Sequence, residues 1–138
     1  MNLAHPDAAA VSALIAEAAA IEIMPRFRHL SEAEIRAKSA PDDLVTVADE
    51  AMERRLSADL RRLLPGSVVI GEEAAAADPS LHDLIAGPAP VWVVDPLDGT
   101  SSFAAGRPAF GVIVALVAGG ETLMGWIHDP NTGETVAA

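Results

Sequence analysis

Two short apolar runs in this chain end in acid. Residues 68–70 read Val-Val-Ile and residues 91–94 read Val-Trp-Val-Val, with no polar residue inside either run. Unbroken apolar runs of this length, bounded by turn residues, read as buried strands. The first leads into Gly71-Glu72-Glu73, and the second into Asp95-Pro96-Leu97-Asp98-Gly99-Thr100. Any fold open to this chain must bury both runs and still accommodate the acids at their C-terminal ends. Carboxylates placed this way converge when the two strands are neighbours.

Helices precede these strands and a meander follows them. Val11, Leu14, Ile15, Ala18 and Ile21 recur at three- and four-residue steps, which predicts one apolar face of a helix beginning near Asp7. Pro25 kinks or ends that helix near Met24. An extended segment is expected over residues 35–38. Thr46-Val47-Ala48-Asp49 has the form of a capping box, and Met52, Leu56, Leu60, Leu63 and Leu64 give the second helix its buried stripe. Pro65-Gly66 stops it. Residues 74–90 read as a loop with a short helix near residues 81–85. From Phe110 the pattern is strand-like: FGVIVALV, a Gly119-Gly120 turn, ETLMGWIH, a turn over residues 129–133, and the start of a third strand over residues 134–138. Helices first and strands after give the α+β class. No internal repeat or interdomain linker interrupts the sequence. No polar tail or terminal helix follows the last strand to protect a sheet edge, so the chain is expected to be the front part of a larger domain.

Composition narrows the function. The 138 residues amount to about one domain. With 51% apolar residues and a mean hydropathy of +0.30 they bury a core rather than remain disordered. Nine basic residues against 20 acidic ones leave a net charge of −11. That argues against a nucleic-acid-binding module, which shows a basic patch, and against adhesion to anionic membranes. No unbroken apolar run reaches the roughly 18 residues of a membrane span, and MNLAHPDAAA lacks the basic start of a secretory signal. Without cysteine there is neither a disulfide framework nor a Cys-zinc site. The expectation is a soluble, cytoplasmic protein.

Several carboxylates without basic partners repel one another, and burying an unpaired charge is costly. A hard divalent cation relieves that repulsion. Magnesium prefers oxygen ligands, keeps several waters and is often shared with a substrate phosphate. Pro96 bends the chain between Asp95 and Asp98, Gly99 permits a backbone conformation other residues resist, and the Leu97 carbonyl can then turn toward the same ion as Asp95. Beyond Gly99 the amides from Thr100 onward open a short helix before Phe103, and free N–H groups at a helix start bind phosphate. Each piece also has a plainer reading. Asp98-Gly99 alone is a turn, Glu72-Glu73 a solvated pair, Asp49 a capping acid and Lys38 a surface lysine. His5, His29, His82 and His128 have no ligand-like spacing, and Trp92 and Trp126 are read as core.

Taken in order, the pieces resemble the inositol monophosphatase family. DLVTVAD (residues 43–49) is similar to the family's D-x-V-T-x-x-D segment, GEE (residues 71–73) to its G-E-E turn, and WVVDPLDGTSSF (residues 92–103) to its W-x-x-D-P-x-D-G-T-x-N-F signature. The resemblance covers nearly the whole chain but only about the first half of a family member. It implies the N-terminal part of a layered α/β/α/β/α sugar-phosphatase fold, with two long helices followed by a largely antiparallel sheet. It also implies a magnesium-dependent phosphomonoesterase, with Mn2+ as a second acceptable cation. On this resemblance Glu72, Asp95 and the Leu97 carbonyl hold a first metal, and Asp95 and Asp98 a second. Glu72 and Thr100 position or deprotonate the attacking water, with Asp49 assisting. Leu97, Asp98, Gly99, Thr100 and Ser101 line the substrate phosphate, and Lys38 acts electrostatically. Water activated between two metals attacks in line, with no phospho-enzyme.

The resemblance further implies a small phosphorylated substrate and a homodimeric full-length form. Ser102 stands where the family usually has Asn. The family's later W-D-x-A-A-G segment, whose Asp completes the second metal site, is absent from these 138 residues. The expected substrate is inositol monophosphate or a relative such as histidinol phosphate, fructose bisphosphate or a 3′-phosphonucleotide. The competing reading is a catalytically incomplete cation-binding fragment that acts, if at all, by association.

Overall fold

Asp7 opens the first helix by accepting the Ala9 amide through its carboxylate at 3.2 Å. Helix α1 spans Ala8–Glu22, and Pro25 falls in the 3-10 turn Met24–Arg26 just after it, as a residue without an N–H must. The computed structural model describes residues 5–138, so residues 1–4, and with them the start of the segment judged for a secretory signal, lie outside the described residues. Val11, Ile15, Ala18, Ala19 and Ile23 are buried, whereas Ile21, expected on the same face, is 43% exposed. The buried stripe steps by four through 11, 15, 19 and 23. At 3.6 residues per turn Ile21 lies roughly 120° from its centre. The stretch Ala8–Arg26, 19 residues with a mean hydropathy of 1.6, is long and apolar enough to cross a membrane by length and composition. Counting unbroken apolar runs did not reveal this. Its five buried side chains join the common core.

Strand β1 (Ile35–Ala37) pairs antiparallel with β2 (Leu44–Thr46), and β2 runs directly into α2 (Val47–Leu63). The capping box at that junction is present as expected: the Thr46 hydroxyl accepts from the Ala48 and Asp49 amides, and the Asp49 carboxylate accepts from the Thr46 amide at 2.8 Å. Met52, Leu56 and Leu60 are fully buried; Leu63 and Leu64 are only half-buried.

The main sheet contains β3 (Val68–Gly71), β4 (Val91–Asp98), β5 (Gly111–Ala118), β6 (Glu121–Asp129) and β7 (Glu134–Ala137), hydrogen-bonded in that order. β3 and β4 run parallel, with Gly71 opposite Val94, and the remaining pairs are antiparallel. The α+β class and the largely antiparallel sheet are thus what the sequence predicted. β4 continues past its expected end at Val94 to Asp98, because Asp95 and Asp98 still find Ile113 and Gly111 on β5 across a register shift. Residues 72–77, expected as a turn and loop, form helix α3 (Glu72–Ala77), and a 3-10 run (Pro79–Ala86) contains the predicted short helix. The last helix, α4, spans Thr100–Ala104.

One face of the sheet lies against α1 and α2. Trp92 and Trp126 are buried there with ring centroids 5.8 Å apart. Their indole N–H groups donate to the Ser67 hydroxyl and the Ala8 carbonyl, both at 3.1 Å. A buried indole N–H needs such a partner, so both tryptophans are core. On the opposite face Ile113, Ile127 and Val136 stand opposite one another in a single row across β5, β6 and β7, and all three are exposed. Phe27, Phe103 and Phe110 pack ring against ring at 4.9–5.6 Å and fix α4 from behind. His128 is buried, with Nδ1 2.8 Å from the Thr135 hydroxyl oxygen, and burial lowers its pKa.

Candidate active site

Because β3 and β4 are parallel, their C-terminal ends lie side by side. The Gly71–Val94 pairing brings the two following residues, Glu72 and Asp95, together. Both residues line the same cavity. Burial first, then Glu72 and the nearby charge of Asp98, push the Asp95 carboxyl up to about 8. Its own Oδ1 accepts the Leu97 amide at 3.3 Å. No ion pair of Asp95 or Asp98 with a basic side chain occurs among the described residues. Asp98 is exposed at the rim, next to Gly99. Gly99 has φ +86°, and a Cβ there would meet the Ala109 carbonyl oxygen at 2.5 Å. Only glycine meets both demands.

The second turn is tied to α2 by Thr100. Its Oγ1 lies 2.8 Å from Asp49 Oδ1 and 2.9 Å from the Leu97 carbonyl oxygen. Asp49 is 1% exposed, and its other oxygen takes the Thr46 amide and hydroxyl at 2.8 and 2.6 Å. Burial raises the Asp49 pKa against the pull of these hydrogen bonds from Thr46 and Thr100. Asp49 is therefore a capping acid that also reaches the cavity-lining Thr100. No side chain caps the first amides of α4. Ser101 commits its hydroxyl to the Asp42 carbonyl at 3.2 Å, so its backbone N–H is the group free to face a ligand. Glu72, Asp95, Leu97, Asp98 and residues 99–102 line one cavity of about 280 Å3.

Lys38 is not a surface lysine. Its side chain is 19% exposed, with Nζ 3.5 Å from Glu73 and 3.8 Å from both Glu72 and Asp43. Burial lowers its pKa, but Glu73, Glu72 and Asp43 outweigh burial and hold the ammonium above its usual range. Glu73 is likewise no solvated acid: its side chain is 15% exposed, and burial raises its pKa against the attraction of Lys38. Sequence reading also passed over Glu53. Its two carboxylate oxygens accept the Glu73 and Ala74 amides at 2.8 and 3.0 Å. Its place four residues after Asp49 on an amphipathic helix was the available signal.

The donors in the cavity suit a hard cation. They are all oxygen: the carboxylates of Glu72, Asp95 and Asp98 and the Leu97 carbonyl line the same cavity. Among the described residues no three His, Cys, Asp or Glu side chains close into a ready-made cage. A magnesium ion, which retains waters, does not require one.

The family model described as the inositol monophosphatase family matches residues 4–138. Inositol-1-monophosphatase of Mycobacterium leprae is 42% identical over 104 residues, covering 75% of this chain and 35% of that protein. The structure of the extragenic suppressor protein suhB of Bartonella henselae superposes with a TM-score of 0.70 at 24% identity, covering 94% of this chain and 48% of that one. An IMPase/NADP phosphatase complexed with Mg2+ and phosphate superposes at a TM-score of 0.68 and 20% identity, covering 84% and 41%. These structural likenesses establish the shared fold. The matched region is about a third of the curated relative's length and under half of each solved chain.

Proposed function

This chain belongs to the inositol monophosphatase family, and from that premise we propose that it is the N-terminal portion of a single magnesium-dependent phosphatase domain acting on inositol monophosphate or a closely related small phosphomonoester. The observation that carries the reading is the pairing of Glu72 with Asp95 at the ends of two parallel strands, beside a cavity floored by the uncapped start of α4. The names of relatives as inositol monophosphatases support the substrate class, and the relative bearing Mg2+ and phosphate supports the cation.

Glu72, Asp95, Asp98 and the Leu97 carbonyl would hold the cation. When bound, magnesium supplies charge to neutralise the phosphoryl oxygens and to acidify a water. The chain's own groups do the rest. The amides of residues 100–102 orient the phosphate, and the burial of Asp49 keeps bulk water from its side of the hydrogen bond with Thr100. The Thr100 oxygen can accept a proton from water on its cavity side while its hydroxyl donates to Asp49 Oδ1, and the raised pKa of Asp49 favours taking that proton up. Glu72 is the second base within the cavity. Lys38 holds Glu72 and Glu73 in place by charge.

Phosphate release from inositol monophosphate by the full-length protein tests the reading. Activity should require Mg2+ or Mn2+, and Asp95→Asn should lower it by orders of magnitude. Activity persisting in excess EDTA would refute metal-assisted hydrolysis. The row of exposed Ile113, Ile127 and Val136 supports a further part of the domain, or a second copy in a homodimer, covering that face.

A further inference from the structure

We propose that Glu53 is a positioning residue for Glu72, acting through the first turn of α3, so that a single face of α2 sets both acidic turns. The inference rests on the reading of Glu72 as a cation ligand. Asp49 and Glu53 are four residues apart on α2 and therefore share a face. Asp49 reaches forward to Thr100 in the turn after β4. Glu53 reaches to the turn after β3, where one oxygen accepts the Glu73 amide at 2.8 Å and the other the Ala74 amide at 3.0 Å. These amides begin a helix of six residues, and the first N–H groups of any helix lack internal partners. Gly71, at the cap position, has no side chain to satisfy them.

Gly71 accounts for the rest of the device. Its φ of −89° is open to any residue, so its backbone does not call for glycine. Its surroundings do: a Cβ at Gly71 would overlap the Glu53 carboxyl group. The missing side chain is the space through which Glu53 reaches the amides. With both oxygens engaged, the peptide planes after Glu72 are fixed, and Glu72 is held at the cavity it lines with Asp95. Glu53 makes no ion pair with a basic side chain among the described residues. Its charge is satisfied by the start of α3, where negative charge is favoured. Changing a group that orients a metal ligand typically costs about 10- to 100-fold in metal affinity.

The test compares the wild-type chain with Glu53→Ala, Glu53→Gln and Gly71→Ala. Amide hydrogen exchange, read residue by residue by NMR in the absence of metal, reports the clamp directly. Protection at Glu73 and Ala74 should be lost in Glu53→Ala and Gly71→Ala and partly kept in Glu53→Gln, which retains one acceptor oxygen. Mg2+ titration calorimetry should then show affinity lowered about 10- to 100-fold in Glu53→Ala, a smaller loss in Glu53→Gln, and no further loss when Gly71→Ala is added to Glu53→Ala. Unchanged protection in Glu53→Ala overturns the inference. So does lost protection with wild-type Mg2+ affinity, which would make Glu53 a helix cap and nothing more. If Glu53→Ala does not fold, Gly71→Ala decides, because it displaces the carboxylate while leaving it in the chain. If the wild-type chain binds no Mg2+, the cation reading itself falls. The clamp is then judged on exchange together with the backbone shifts of Glu72, which must move in Gly71→Ala for the inference to stand.

Discussion

The turn after β3 and the turn after β4 carry the same kind of charge but are stabilised differently. Around Glu72 and Glu73 the charge is answered from within the chain: Lys38 sits within 3.8 Å of both, and Glu53 clamps the backbone amides. Around Asp95 and Asp98 no basic group answers it among the described residues. The backbone there is held through a neutral hydroxyl, Thr100, and a buried acid, Asp49. The first turn is electrostatically closed, although Glu72 also lines the cavity with Asp95. The second is electrostatically open, and burial beside Glu72 and Asp98 raises the Asp95 pKa. An acidic protein can handle a phosphate ester only where its local charge can be reversed, and the open turn is where that reversal can occur.

The largest expected effect is at the open turn. Asp95→Asn should abolish Mg2+ binding, a loss of at least about 100-fold by titration calorimetry, larger than that expected for groups acting behind a ligand. Equal binding by wild type and variant would erase the distinction between the turns. Next comes pH. The Asp95 carboxyl is held up to about 8 against an ordinary 3.8. The folded chain therefore keeps a proton that the unfolded chain has released, and stability should fall as pH rises from about 4 through 8. Melting temperatures across that range, with and without saturating Mg2+, should show a decline that the cation flattens. A metal-free profile already flat would contradict the raised Asp95 pKa.

A smaller effect belongs to the hydroxyl between the turn and α2. Thr100→Ala leaves Asp49 Oδ1 buried without its partner and should cost about 1–3 kcal/mol in urea unfolding. Thr100→Ser should restore most of it, and a silent Thr100→Ala would show that the tie to Asp49 is incidental. The smallest effect on cation binding is expected at the closed turn. Lys38→Met should lower stability in urea unfolding, because the largely buried Glu73 is left without its cation. It should also tighten Mg2+ binding, since a positive charge 3.8 Å from Glu72 is gone. Weaker binding in Lys38→Met would mean that its hold on Glu72 outweighs its repulsion of the cation.

Much of this was legible in the residues because it is local. Capping by Asp7 and Thr46, the stop at Pro65-Gly66, the hairpin at Gly119-Gly120 and the helix opening after Gly99 each depend on a few adjacent positions. The three motif segments, read in order, carried the family. What adjacency could not show was direction and distance. Unbroken apolar runs do not say whether β3 and β4 are parallel, yet only the parallel pairing sets Glu72 beside Asp95. Residues 72–77, two acids and four alanines, carry a local helix signal that the turn-and-loop reading passed over; what they do not show is that the first amides are satisfied by Glu53, 20 residues earlier. Lys38 and Glu73 looked solvated because burial of a long charged side chain depends on what covers it, and here each covers the other. The sequence alone determined which groups carry the chemistry and where the chain must turn. Tertiary structure decided which of those groups meet, since electrostatic and hydrogen-bond energies depend on separation in space, and chain order does not specify it.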